Sequence, residues 1–320
     1  MKTIQVTAYG DIDVLRPVDA PRPAAGPGEV VVKVEYAGVN FLDVQVRRGM
    51  YGIPTPFTAG FEGAGVITET GRDVAGLALG QRVVWANVLG AYAEYAVVPA
   101  AQAIAVPEAL GLETAVAVQV QGITAQYLVT DVHPVGAGEV VVVHAAAGGV
   151  GRFLTQLAKA RGAVVIGTAS SPEKAEVARS VGADHVLEYT GFADRVRELT
   201  EGRGADVVYD GVGVETFEES VRALRPRGSL AIYGESSGPV PAFNSNEFGG
   251  QSVTISRPSF ADFTRTREEV QDRVDDVHAK LLAGTLSVDV NTISTLGEAA
   301  EAQRLLQDRL TVGKLLLKVS

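Results

Sequence analysis

The chain has 320 residues, 46% hydrophobic and 21% charged, with 28 Lys and Arg against 38 Asp and Glu. This is the composition of a well-packed globular protein, and its length predicts two domains rather than one core. The net charge of −10 opposes nucleic acid or an anionic membrane as the main partner, and the absence of cysteine excludes disulfides, thiol catalysis and cysteine-ligated zinc.

Short β signals fill the first third, at residues 4–8, 30–37, 65–70, 82–86 and 91–98. Pro- and Gly-rich stretches such as 21–28 (PRPAAGPG) and 71–80 (GRDVAGLALG) separate them, so an antiparallel β domain is predicted. Residues 110–130 read as a helix that bridges the domains. From residue 140 the pattern alternates, with strands at 140–144, 164–168, 185–188, 207–210 and 229–233. The intervening helices are at 152–161, 172–180, 192–200 and 215–224, the order of a doubly wound parallel sheet. Two charged amphipathic helices (266–283 and 297–308) follow, and a β tail at 314–319 is placed to fold back onto the first domain. No apolar run is long enough for a transmembrane helix, and residues 1–15 lack the apolar core of a secretory signal. A cytoplasmic chain is expected.

Residues 140–151 (VVVVHAAAGGVG) concentrate the chemistry. The valine run suits a strand buried on both faces, and Gly148, Gly149 and Gly151 lead into a helix. Strand, glycine turn and helix together make a dinucleotide site: the small residues admit a pyrophosphate at the positive end of the helix. An NAD site then places Asp or Glu at the tip of the second strand to hold the ribose 2′-OH. Here that tip reads Thr168, Ala169, Ser170, Ser171, and Glu173 falls inside the next helix behind a Ser171-Pro172 cap. Ser170, Ser171 and Lys174 suit a 2′-phosphate, the plain alternative being a helix cap with a solvated lysine. The missing acid favours NADPH.

Residues 40–51 (NFLDVQVRRGMY), 60–65 (GFEGAG), 80–83 (GQRV), 122–124 (GIT), 144–151, 206–213 (DVVYDGVG), 234–238 (GESSG) and Arg257-Pro258-Ser259 follow one another in this order. With Lys174, Gly182-Ala183 and Tyr189, they make the chain resemble the medium-chain dehydrogenase/reductases, and within them the zinc-free quinone oxidoreductase (zeta-crystallin-like) family. The resemblance implies an α/β protein: a GroES-like catalytic β domain over 1–121 and 263–320, and a Rossmann NADP-binding domain over 122–262. It implies hydride transfer from NADPH to a quinone in the interdomain cleft. It sets Asn40, Asp43 and Tyr51 near the nicotinamide, with Thr124 close to the ring. Ala147, Gly148, Gly149, Val150 and Gly151 would hold the pyrophosphate, and Ser170, Lys174 and Tyr189 the 2′-phosphate. Gly234, Ser236 and Ser237 would line the cofactor cleft, and Arg257 and Lys314 would close around the cofactor.

Several of these residues also have a plain structural reading. Asn40-x-x-Asp43 has the form of a helix cap, and Tyr51 packs a turn beside Gly52 and Pro54. Glu62 packs beneath the cleft, Asp210 is structural, Tyr189 packs a sheet edge and Arg257 lies on the surface. Zinc-dependent relatives carry Gly-His-Glu where this chain has Gly60-Phe61-Glu62, and a cysteine in place of Asn40. The histidines are 133, 144, 185 and 278, two of them (His144 and His185) in predicted strands, so no catalytic metal is expected.

Bare hydride transfer suits an electron-poor quinone. Gln45 and Gln121 depart from the family, which often has a tyrosine and a cationic residue at these positions. An amide at Gln45 favours a carbonyl-bearing acceptor, so an NADPH-dependent 2-alkenal/enone reductase is the alternative. A reading of another class is a crystallin-like NADPH-binding protein without turnover. A homodimer is implied, with residues 243–256 (FNSNEFGGQSVTIS) as the pairing segment.

Overall fold

Val30, Val31, Val32 and Val34 are all fully buried, which makes β3 (Glu29–Val39) an interior strand. In the computed structural model it pairs antiparallel with β5 (Glu62–Thr70) on one side. On the other, β7 (Tyr95–Pro99) takes its first half and β16 (Lys314–Lys318) its second. The structure describes residues 1–244, 246 and 251–320. The chain divides into two units, Met1–Val120 with Thr264–Ala283 and Ser287–Ser320, and Gln121–Phe263 with Gly284–Leu286.

The first unit is β-rich. Its seven-stranded sheet adds β6 (Arg82–Ala86), β8 (Ile104–Ala105) and β15 (Val290–Thr295) to the strands above. A three-stranded sheet has β1 (Lys2–Val6) between β2 (Leu15–Asp19) and β4 (Phe57–Thr58). Trp85, Tyr92, Val32, Ile67 and Leu317 share one buried cluster. Each large apolar side chain so buried contributes about 1.5–3 kcal/mol before chain entropy is counted. Helices α1 (Phe41–Arg47), α7 (Arg267–Leu282) and α8 (Ala299–Gln307) belong to this unit. Helix α2 (Leu112–Tyr127) follows β8 and runs across the boundary between the units, its residues from Gln121 onward belonging to the second.

The second unit is a six-stranded sheet in the order β11-β10-β9-β12-β13-β14, every pairing parallel. The strands are β9 (Val140–Val143), β10 (Val164–Thr168), β11 (His185–Leu187), β12 (Ala205–Asp210), β13 (Leu224–Ile232) and β14 (Thr254–Ser256). Helices α3 (Gly149–Ala160), α4 (Pro172–Ser180), α5 (Phe192–Leu199) and α6 (Phe217–Ala223) connect them. This is the dinucleotide-binding order, and the turn after β9 sits where the winding reverses. Val142, Ile166, Val208 and Leu230 from adjacent strands share the core with Phe192 and Phe217.

Some local expectations are corrected. The predicted strand 91–98 shrinks to Tyr95–Pro99, because Tyr92 turns back to exchange backbone bonds with Ile4 and Ala59. Four strands of the first unit carry no clear signal. β4 and β8 are only two residues long, β2 contains Pro17, tolerated because β2 is an edge, and β15 (VNTIST) is too polar to stand out. The third helix starts at Gly149 rather than 152, since nothing bars glycine from a first helical turn. His185 does lie in a strand, as predicted, but on edge strand β11, where it is exposed. Of the segment 243–256, residues 245 and 247–250 lie outside the described residues, and Thr254–Ser256 forms β14. Among the described residues no helix is long and apolar enough to cross a membrane.

Candidate active site

Asn40 leaves β3 in an extended conformation and caps α1. Its backbone N–H donates to Asp43 Oδ2 at 2.8 Å, the reciprocal half of a capping box. The Tyr92 hydroxyl donates to the same oxygen at 3.0 Å. Asp43 Oδ1 is buried without a hydrogen-bond partner among the described residues. Burial raises the Asp43 carboxyl to about 7, against the opposing pull of the Asn40 and Tyr92 hydrogen bonds and of Lys314. Burial and the neighbouring Asp43 push the Tyr92 phenol well above its ordinary range, so it stays a donor.

A second buried cluster adjoins the cap. Glu62 Oε1 accepts from the Val120 N–H at 2.6 Å, and Oε2 accepts from Asn40 Nδ2 at 3.0 Å and Lys314 Nζ at 2.6 Å. Lys314 Nζ also donates to Asn40 Oδ1 at 2.9 Å. All three side chains are buried. Gly38 makes room for them, because a Cβ there would fall 1.8 Å from Glu62 Oε2. Sequence reasoning named Asn40 and Lys314 separately and took Glu62 as packing. Their meeting joins residues 252 and 274 positions apart, which no local pattern reveals. The partnership of Tyr92 with Asp43 was missed for the same reason. Tyr51 stands 57% exposed beside the likewise exposed Met50, so it does not pack a turn interior. Thr124 is buried on α2 and Gln45 half-buried on α1.

In the second unit the glycine turn has the geometry of an anion cradle. Gly148 is the extended N-cap of α3, and the first intrahelical bond is donated by Arg152 to Gly148 O at 3.0 Å. The amides of Gly149, Val150 and Gly151 come before that bond and by helix geometry have no intrahelical acceptor. A Cβ at Gly151 would lie 2.2 Å from Ala145 O, and one at Gly149 would lie 2.9 Å from Gln121 Cγ. Ala147 is buried beneath this turn. Gly167 on β10 lets Ala146 pack within contact, which brings the turn against the strand whose tip carries Ser170.

At that tip Ser171 caps α4, its Oγ accepting from the Lys174 N–H at 3.3 Å, with Pro172 opening the helix and Glu173 behind it. Tyr189 follows β11, its ring 6.2 Å from that of His144. Asp210 is structural: its carboxylate accepts from the Val212 and Gly213 amides and the Thr216 hydroxyl. Ser237 Oγ donates to Val212 O, Ser236 N–H donates to Gly211 O, and Gly234 packs on Gly211. Arg257 donates to Ile232 O and pairs with Glu235 at 2.8 Å. The cradle, the capped helix and the acid-free strand tip fit NADPH.

Residues 26–108 match the alcohol dehydrogenase GroES-like domain family, and residues 149–276 the zinc-binding dehydrogenase family. A quinone oxidoreductase of Pseudomonas aeruginosa is 39% identical over 99% of both chains. A 2-haloacrylate reductase of a Burkholderia species is 39% identical over 91% of both. The structure of Escherichia coli quinone oxidoreductase complexed with NADPH superposes with a TM-score of 0.96 at 34% identity, covering 99% of this chain and all of the other. The residues present do not fit a zinc ion, whatever the second family's description. Asn40 and Phe61 lack zinc-binding groups, and the Lys314 ammonium already occupies the oxygens of Asn40 and Glu62. The chain belongs to the medium-chain dehydrogenase/reductase superfamily, in its quinone oxidoreductase family.

Proposed function

We propose that this protein is an NADPH-dependent quinone reductase that works without zinc. The observation that carries the reading is the β10 tip, where Ser170, Ser171 and Lys174 stand in place of the acid that NAD requires, beside the Gly148–Gly151 cradle. When bound, NADPH supplies the hydride. The amides of Gly149, Val150 and Gly151 bind the pyrophosphate, with Gly234, Ser236, Ser237 and Arg257 lining the remainder of the cofactor site. Ser170, Lys174 and Tyr189 bind the 2′-phosphate. Residues 122–262 are the cofactor domain, and residues 1–121 with 263–320 carry the acceptor.

On the acceptor side Asn40 and Lys314 orient the acceptor end of the site, Tyr51 and Thr124 shape it, and Asp43 holds a proton at Oδ1. Reduction of a quinone consumes one hydride and one proton and yields the hydroquinone. The buried Asp43 carboxyl is matched to that proton. The 39% identity to a 2-haloacrylate reductase supports a second reading, reduction of a conjugated enone or 2-alkenal by the same residues. We further infer a homodimer, supported by the position of β14 at the outer side of the parallel sheet, and a cytoplasmic location, in keeping with the cysteine-free composition.

Lys174→Ala tests the cofactor assignment. NADPH binding is expected to weaken by about 1.5–3 kcal/mol, one charge-assisted hydrogen bond, while NADH binding changes little. Equal losses for both cofactors in a fluorescence titration contradict it.

A further inference from the structure

Ala145, the second residue of the glycine motif, has φ +50, a conformation that costs a non-glycine residue energy and persists only where its surroundings impose it. Its carbonyl accepts from the Gly148 N–H at 2.7 Å, and its own N–H points inward to Thr168 Oγ1 at 3.3 Å. Thr168 Oγ1 lies 3.0 Å from His144 Nδ1, and His144 Nε2 lies 2.9 Å from Ser220 Oγ. Ser220 Oγ in turn donates to Asp210 Oδ2 at 3.0 Å. His144, Thr168, Ser220 and Asp210 are all buried.

The direction of this chain is set from its end. A carboxylate offers only acceptors, so the Ser220 proton goes to Asp210, and Ser220 Oγ must accept from His144. That places the imidazole proton on Nε2 and leaves Nδ1 to accept from the Thr168 hydroxyl. Thr168 Oγ1 is then free to accept from the Ala145 N–H. Every donor points the same way, from the glycine turn through β10 and His144 to α6 and the end of β12. Burial holds His144 below its ordinary pKa, in keeping with a neutral ring.

We propose that His144 is a positioning residue for the cofactor: as its Nε2-protonated tautomer it locks the glycine turn and the tip of β10 to the Asp210 loop. This rests on the reading that the glycine turn holds NADPH. The chain turns the Ala145 amide away from the phosphate and leaves the later amides of the turn to bind it.

The test reads the tautomer and the affinity separately. Long-range ¹⁵N–¹H correlation of the imidazole nitrogens, with His144 assigned by elimination through substitutions at His133, His185 and His278, is expected to show a protonated Nε2 and a bare Nδ1. A protonated Nδ1 overturns the proposal. Thr168→Val cuts the chain without changing shape and is expected to weaken NADPH binding roughly three- to tenfold, the loss of one neutral hydrogen bond. Thr168→Ser keeps the hydroxyl and is expected to stay close to wild type. Equal losses in both variants, or none in either, overturn the positioning role. A wild-type chain that binds no NADPH overturns the reading and the role together, whereas the wrong tautomer in a chain that does bind it overturns the role alone.

Discussion

Asp43 sits at the junction of two demands, capping α1 and holding a proton in a buried place. Its carboxyl is raised from 3.8 to about 7 by burial, so between those values the folded state keeps a proton that the unfolded state has lost. Stability from this group is therefore present at low pH and is lost as pH rises through about 7. Asp43→Asn retains an oxygen for the Asn40 N–H but cannot titrate. Its melting temperature relative to wild type is expected to climb from pH 4 to pH 7 and then level. On the proposal that Asp43 supplies the proton, quinone turnover is expected to fall above pH 7 in wild type and to lose that limb in the variant. A pH-independent difference in both measurements contradicts the proton assignment.

At the scale of elements, α7 carries an unusual burden. His278 on this helix is buried, and neither ring nitrogen has a partner among the described residues. Burial lowers its pKa to about 4, so the folded ring stays neutral while the unfolded ring charges below about 6.5. Stability is present above that value and is lost as pH falls towards 4. His278→Leu removes the unpartnered nitrogens and is expected to raise the melting temperature, by more at pH 5 than at pH 8. A lower melting temperature at both pH values contradicts this.

The elements also show what a sequence can and cannot reveal. β9, β10 and α4 are legible because their signals are local: a valine run, a strand tip without an acid, and a Ser-Pro cap. β2 and β15 are hidden because their strand character comes from neighbours rather than from their own residues. The site follows the same division. The Asn40–Asp43 cap and the glycine cradle rest on short spacings and can be read directly. The Glu62–Lys314 pair, the Tyr92–Asp43 bond and the His144 chain join residues far apart in sequence, and only the assembled sheets bring them together.

For the whole molecule, the outer side of β14 is the surface on which the proposed homodimer rests. Among the described residues the parallel sheet ends there, and an unpaired strand edge is a ready surface for a second copy related by a two-fold axis. Sedimentation is expected to give twice the chain mass at micromolar concentration, and a monomer there contradicts the homodimer.

The most direct test of the account is the rate of NADPH oxidation against matched small quinones and 2-alkenals, with NADH as the control cofactor. Fast quinone turnover with a clear preference for NADPH is the result expected from the acid-free β10 tip and the proton on Asp43. Turnover of alkenals or enones with slow quinone rates contradicts it, and makes Gln45 the residue that redirects this scaffold.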